Sequence, residues 1–179
     1  MNQAEKTKWI IDPAHSEIQF KVKHLVISNV TGSFDKFNGT VVSNGDDFTN
    51  AMIEFKADVN SINTNQVDRD NHLKSPDFFD AGNHPELIFV SKSLSRKGES
   101  GFVLSGDLTI RGTTKQVQLD GEFGGIVKDP YGNTKAGFEL NGKISRKEFG
   151  LHWNAITEAG GMVVGDDVKL TMNVELAKN

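Results

Sequence analysis

The 179-residue chain contains no cysteine, which removes disulfide frameworks, zinc ribbons and thiol nucleophiles together. It also lacks an excess of positive charge. With 20 Lys and Arg against 24 Asp and Glu, and the basic residues scattered, it has no cationic footprint of the kind a nucleic-acid binder uses to displace counterions. Nucleic acid is not an expected partner. Glycine aside, no apolar run is longer than Leu87 to Val90, so no stable membrane insertion through a spanning helix is expected. Met1 to His15 holds two Lys, a Glu and an Asp, with Trp9-Ile10-Ile11 as its apolar triplet, which is no signal-peptide core. A cytoplasmic location is expected on that ground, and periplasmic if a leader was removed. The length suits one domain, 1–179, with ample residues for a core.

What is present is alternation. Ile18, Phe20 and Val22 alternate with Glu17, Gln19, Lys21 and Lys23, and Ala51, Ile53, Phe55, Ala57 and Val59 with Glu54, Lys56 and Asp58. The same pattern recurs through Phe102, Leu104, Leu108 and Ile110, through Val117, Leu119 and Phe123, through Ala136, Phe138, Leu140 and Ile144, and through Val168 to Leu176. With Val30 to Val42 and Leu87 to Ser91, this gives about eight strands divided by Gly, Asn and Asp turns. One dry and one wet face per strand predict an all-β antiparallel sheet around a single interior, either a barrel or a sandwich.

Two stretches break the pattern. From 64 to about 80 the chain reads as a short helical segment, with Thr64 or Asn65 as N-cap and a stop before Pro76. Because Ile88 and Val90 make the next strand apolar on its second face, this segment, through Leu73, Phe78 and Phe79, is the expected cover for that outer side. From about 145 to 165 the alternation fails in a long segment holding Phe149, Leu151, Trp153, Ile156 and Met162. It is too apolar for ordinary disorder, and reads as a lid or portal or as a structural plug over a barrel end.

Twelve Phe stand beside 1 Tyr and 2 Trp, so nearly all the aromatic area lacks a polar tip and suits dry surroundings. Gly32, Gly39, Gly106, Gly121 and Gly142 fall in the inward register. Glycine within a strand costs roughly 0.5–1 kcal/mol against Ala. Either these positions bend the strands, or they leave volume in a barrel of the size that just holds one small ligand. The second reading predicts an apolar cavity suited to a hydrocarbon. An isoprene unit, on the order of five methylenes, would contribute roughly 4 kcal/mol on burial.

Catalytic signatures are missing. His15, His24, His72, His84 and His152 show no zinc-ligand spacing, and neither a nucleophile elbow nor a glycine-rich phosphate loop occurs. No metal, cofactor or catalytic residue is therefore expected. His15 and Ser16 would point to opposite faces of a strand. His24, in inward phase, is either a satisfied interior histidine or an acid or base. Asp68, Arg69, Asp70, His72 and Lys74 either hold a head group or form a solvated helix face.

The run Trp9-Ile-Ile-Asp12-Pro-Ala-His15-Ser16-Glu-Ile-Gln-Phe20-Lys-Val-Lys-His24, followed by Gly32-Ser-Phe34 and Gly39, resembles the opening of the YceI-like family of polyisoprenoid-binding proteins. The resemblance continues in Arg69-Asp70-Asn-His72-Leu73-Lys-Ser75-Pro-Asp77-Phe78-Phe79-Asp80, in His84-Pro85-Glu-Leu-Ile-Phe89, in Gly106-Asp-Leu108-Thr-Ile-Arg-Gly112-Thr-Thr-Lys115 and in Arg146-Lys-Glu-Phe149-Gly150, over about 8–177. It implies an eight-stranded antiparallel, lipocalin-like β-barrel that binds a polyisoprenoid, a prenyl quinone or a fatty amide as carrier or sequestering protein, without covalent chemistry. The implied tail site is Phe20, Val22, His24, Phe34, Phe55, Phe89 and Phe102, joined by the inward Leu104 and Phe138. Arg69, Asp70 and His72, with Trp153 of the long segment, are the implied head-group or mouth residues. The expected partner is a lipid, with a homodimer left open; the alternative function is an enzyme acting on a lipid head group through His24 or His72.

Overall fold

A computed structural model describes residues 5–156 and 161–179. The alternating stretches become strands β1 (Lys6–Ile11), β2 (Glu17–His24), β3 (Ser28–Phe34), β4 (Phe37–Asn44), β5 (Asp47–Asp58), β6 (Ile62–Asn63), β7 (Glu86–Lys97), β8 (Gly101–Ile110), β9 (Thr113–Lys128), β10 (Thr134–Ser145) and β11 (Val164–Lys178), with one helix, α1 (Val67–Lys74). They follow the order β1-β4-β5-β7-β8-β9-β10-β11-β2-β3-β6, and β1 closes the ring by pairing with β11.

The eleven segments make an eight-stranded antiparallel barrel because three staves are interrupted. Both β1 and β2 pair with β11, one beyond the other, through Trp9 opposite Lys178 and Glu17 opposite Asn173. Likewise β4 pairs with β1 and β3 with β2, while β5 and β6 continue the next stave. The first break has a local cause: Pro13 lacks the N–H a ladder needs, and Asp12 accepts a hydrogen bond from the Ala14 amide at 3.1 Å, closing a tight turn over Pro13–His15.

Inward side chains fill the two ends differently. At the end where β4 finishes and β5 begins, Trp9, Val41, Phe48, Ala51, Ala136 and Leu176 are buried together. Phe48 lies 5.2 Å from Trp9, 5.6 Å from Phe123 and 4.9 Å from Phe138 between ring centroids. The Trp9 indole N–H, fully buried, donates to Ser43 Oγ at 2.8 Å. This aromatic floor seals the barrel.

The other end is overlaid by α1, by the turn after it, and by the segment between β10 and β11. Here two expectations are corrected. The helix is capped by Gln66, whose side chain accepts from the Arg69 amide, and not by Thr64 or Asn65. Nor do Leu73, Phe78 and Phe79 cover the outside of β7: they pack against the barrel interior with Phe34, Leu87 and Phe149. Val90 stays exposed on the outer face. Apolar rings gain more by closing the open end of a dry interior than by lying on one strand.

The long segment is not structureless. It opens with a tight helical turn, Arg146–Phe149, whose Phe149 is buried, and Ile156 bridges to Met162; residues 157–160 of the expected lid lie outside the described residues. Among the described residues no helix is long and apolar enough to cross a membrane.

Candidate functional site

Within the barrel, a cavity of about 160 Å³ is lined by Phe20, Phe34, Phe55, Phe89, Phe102, Leu104 and Phe138, with Phe48 at its floor. Toward the mouth lies a second chamber of about 260 Å³, lined among others by Phe20, Val22, His24, Phe34, Arg69, His72 and Trp153. Phe20, Phe34, Leu87, Ile110, Ile144 and Leu170 border both, forming a collar between them. Each of the expected tail residues thus faces one chamber or the other, Val22 and His24 facing the outer one.

Among the inward glycines, Gly39 borders the inner chamber, where a Cβ would find only ordinary contacts of 3.4 Å or more, whereas Gly32, Gly106, Gly121 and Gly142 do not add open volume. Phe20 lies opposite Gly32, Phe55 opposite Gly39 and Phe102 opposite Gly121 across adjacent strands. A Cβ on Gly32 or Gly121 would run into the ring of Phe20 or Phe102, and one on Gly106 would stand 2.5 Å from both Phe89 Cζ and the Val90 carbonyl oxygen. At Gly32, Gly106 and Gly121 the space a side chain would have filled is occupied by a neighbouring ring lying along the wall, and at Gly142 by the end of Leu119. The glycines therefore shape the lumen indirectly, by letting large rings lie flat.

At the mouth the polar residues divide. Arg69 donates from Nε to Thr64 Oγ1 at 2.8 Å and from a terminal nitrogen to the Thr64 carbonyl at 2.7 Å. Asp70 accepts from the Thr64 amide at 2.8 Å and from its hydroxyl at 2.5 Å. Both tie α1 to the end of β6, and Asp70 does not line the chamber, contrary to its expected place at the mouth. What holds Asp70 is local: a buried Thr64 needs partners for its amide and hydroxyl, and the carboxylate accepts from both. His72 Nε2 sits 2.8 Å from Asp77 Oδ2, and its ring is edge-on to Phe78 and Trp153 at 5.1 and 4.7 Å.

Arg146, which composition and alternation gave no reason to single out, organises the cover. Only 5% exposed, it donates from Nε to Gly165 O at 2.8 Å, from one terminal nitrogen to Leu151 O at 2.6 Å and Trp153 O at 2.9 Å, and from the other to Val164 O at 3.3 Å. Burial lowers its pKa from the usual value while Asp166 opposes the shift, and arginine remains charged. One guanidinium thus clamps both arms of the segment. Arg111, in the tight β8–β9 turn, adds a bond to Phe78 O at 3.0 Å and one to Gly150 O at 3.3 Å, fastening the cover from the other side.

A cluster of Asp12, His15 and Glu175 outside the lumen has metal-ligand geometry, but Lys135 Nζ already stands 3.1 Å from Asp12 and 3.6 Å from Glu175. The ammonium supplies the positive charge that these carboxylates would offer a cation.

The lumen is thus walled by phenylalanine, closed at one end and covered at the other by a buried Arg-x-x-Phe turn. Residues 9–176 match the family model described as YceI-like domain. The chain belongs to the YceI-like family. A UPF0312 protein of Staphylococcus aureus (strain USA300) is 40% identical over 172 residues, covering 96% of this chain and 98% of that one. The crystal structure of the Campylobacter jejuni YCEI protein is 34% identical over 89% of this chain and 91% of that chain, with a TM-score of 0.75. BcnA of Burkholderia cenocepacia shares the fold at 21% identity and a TM-score of 0.80, covering 92% of this chain and 98% of BcnA. A polyisoprenoid binding domain from Saccharophagus degradans does so at 14% identity and 0.69, covering 96% and 98%.

Proposed function

We propose that this barrel binds one long-chain amphiphile, a polyisoprenoid or a molecule of similar shape such as a prenyl quinone or fatty amide, as a carrier or sequestering protein without covalent chemistry. The observation that carries the reading is the two-chamber apolar lumen, sealed by the Trp9–Phe48 floor and entered from the mouth. An apolar cavity of roughly 150 Å³ holds a benzene-sized molecule. The inner chamber of about 160 Å³ therefore takes one such group and the outer, of about 260 Å³, somewhat less than two. Burial of each isoprene unit contributes roughly 4 kcal/mol before ordering costs, so a few units give tight binding, leaving the mouth to orient the head. The Saccharophagus domain named for polyisoprenoid binding supports the class of ligand through a shared fold.

Organic extraction of purified protein followed by mass spectrometry is expected to release such a lipid. A protein that yields none and also fails to take up a labelled polyprenol would end the proposal. The second reading, an enzyme acting on a head group, rests on His72, which lines the outer chamber and pairs with Asp77. Its test is turnover of an extracted lipid by wild type, lost in His72→Gln while lipid uptake is retained.

A further inference from the structure

The turn between β2 and β3 stands at the rim of the mouth, and its composition is unusual for a hairpin tip. Leu25, Val26 and Ile27 occupy it, with exposures of 40%, 74% and 85%. Leu25 and Val26 have φ of 53° and 65°, the left-handed region in which glycine and asparagine are at ease and β-branched residues are not. Three apolar side chains are thus held in water on a backbone that disfavours two of them. The Leu25 amide donates to Val163 O at 2.9 Å, joining the tip to the segment that carries two further exposed apolar residues, Ile156 and Met162.

The wall below carries Asp166 and Asp167, paired with Lys147 and Lys143, and beside them lysines that have no such partner among the described residues. Lys21 pairs in register with Lys169, and Lys169 with Lys143, so three exposed lysines form one row across β2, β11 and β10. Like charges directly opposite each other on adjacent strands are destabilising. Lys143 has Asp167 at 3.6 Å, but Lys21, Lys169 and the exposed Lys23 have no carboxylate within ion-pair distance among the described residues. This occurs in a chain whose net charge is -4. The side chains lining the outer chamber include Lys23, His24, Arg69, His72 and Arg146 and not one carboxylate.

From these observations we infer that the rim is a docking surface for an anionic lipid bilayer, with Leu25, Val26 and Ile27 entering the interface and Lys21, Lys23 and Lys169 facing its phosphates. The inference rests on the lipid-binding reading of the barrel. Apolar side chains on interfacial elements sit about 5–10 Å into the boundary of a bilayer. Lys23, two residues from Leu25, is roughly 7 Å down the strand at about 3.3 Å per residue, at the level of the headgroups. The Lys21–Lys169 row lies farther out, within about a Debye length of the surface. Docked in this way, the mouth faces the membrane and a tail passes between bilayer and lumen without crossing water. A second copy of the chain fits the surface less well, because a two-fold contact through the tip would bring like-charged lysine rows together.

The test is co-sedimentation with vesicles of phosphatidylcholine, with and without phosphatidylglycerol, at low and high salt. Wild type is expected to partition onto the phosphatidylglycerol vesicles and to be released by salt. A double variant, Val26→Asn with Ile27→Asn, is expected to lose at least about tenfold in partitioning, while its melting temperature stays level or rises because asparagine tolerates the left-handed turn. Lys21→Gln with Lys169→Gln should weaken binding to anionic vesicles alone. Equal partitioning of wild type and the tip variant, absence of partitioning, or a wild-type dimer in sedimentation velocity that the tip variant abolishes would each overturn the inference. Uptake of the fluorescent fatty acid cis-parinaric acid in vesicle-free buffer separates the two readings: uptake without vesicle binding removes only the docking surface, and vesicle binding without uptake removes only the lumen as a lipid site.

Discussion

The two ends of this barrel are built on opposite terms. At the floor, Trp9, Phe48, Phe123 and Phe138 interlock at ring spacings of 4.9 to 5.6 Å, and the one buried indole N–H has its acceptor in Ser43. At the mouth, the cover is held by guanidinium groups on backbone carbonyls, and apolar side chains stand in water on left-handed backbone. Dispersion and dry burial favour a state that does not open. Most of the hydrogen bonds that hold the cover are only half-buried, and such bonds are exchanged for water at smaller net cost than interlocked rings are parted. One end is built to stay shut and the other to be exchanged.

Removing the floor should produce the largest effect. Phe48→Ala is expected to cost about 3–5 kcal/mol in urea unfolding and to lengthen the lumen, so that a longer prenyl chain binds better relative to a short one in competition with a labelled polyprenol. If chain-length preference is unchanged, the floor does not limit the tail. At the other end, Arg146→Met should cost about 2–3 kcal/mol, because carbonyls of Leu151, Trp153, Val164 and Gly165 lose their donor. Hydrogen exchange should rise across the described part of 150–165 while β7 and β8 stay protected; a uniform rise would mean that the cover and barrel are one cooperative unit.

The wall offers a finer contrast. Gly121→Ala meets both the Phe102 ring and, at 2.6 Å, the Glu139 carbonyl, whereas Gly142→Ala meets chiefly the end of the Leu119 side chain, with the Gln118 carbonyl at 3.6 Å. The first is expected to lower stability by about 1–3 kcal/mol and the second by less, at the expense of lumen volume and hence of tail uptake. Equal losses in thermal unfolding would show that ring placement is not what the glycines serve.

The smallest effect is on pH dependence at the outer turn. A hydrogen bond to Asp12 raises the His15 pKa from 6.5, and the same bond lowers that of Asp12 from 3.8. The His15 contribution is complete below pH 6.5 and is lost as pH rises through the raised value; that of Asp12 is present above 3.8 and is lost as pH falls through the lowered value. His15→Gln should flatten the urea midpoint against pH above 6.5 without touching lipid uptake.

Much of this architecture is visible in the alternation itself. β8 shows it most plainly, with Phe102, Leu104, Gly106, Leu108 and Ile110 buried and the residues between them half-buried. The register that places Phe20, Phe34, Phe55, Phe89 and Phe102 on one side comes from the two-residue repeat of a strand, and the structure lines the chambers with them. What alternation does not carry is the role of residues at the ends. Phe48 follows a turn and shares no long repeat, yet closes the floor. Phe78 and Phe79 look like a cover for β7 because hydrophobicity says that a side chain wants burial and not where. Arg146 resembles any surface cation until its acceptors, distant carbonyls, are in place. The Leu25-Val26-Ile27 tip did leave a signal: three apolar residues stand where a hairpin turn usually has Gly or Asn.

The sealed floor has a further consequence for traffic. A tube with one door loads and unloads along the same path, tail last out after being first in, so a bound chain leaves by retracing its entry. Such a vessel can shuttle but cannot pump. On the carrier reading proposed above, net direction would come from the chemical potential of the lipid on the two sides of the exchange, and any bias would be set at the rim.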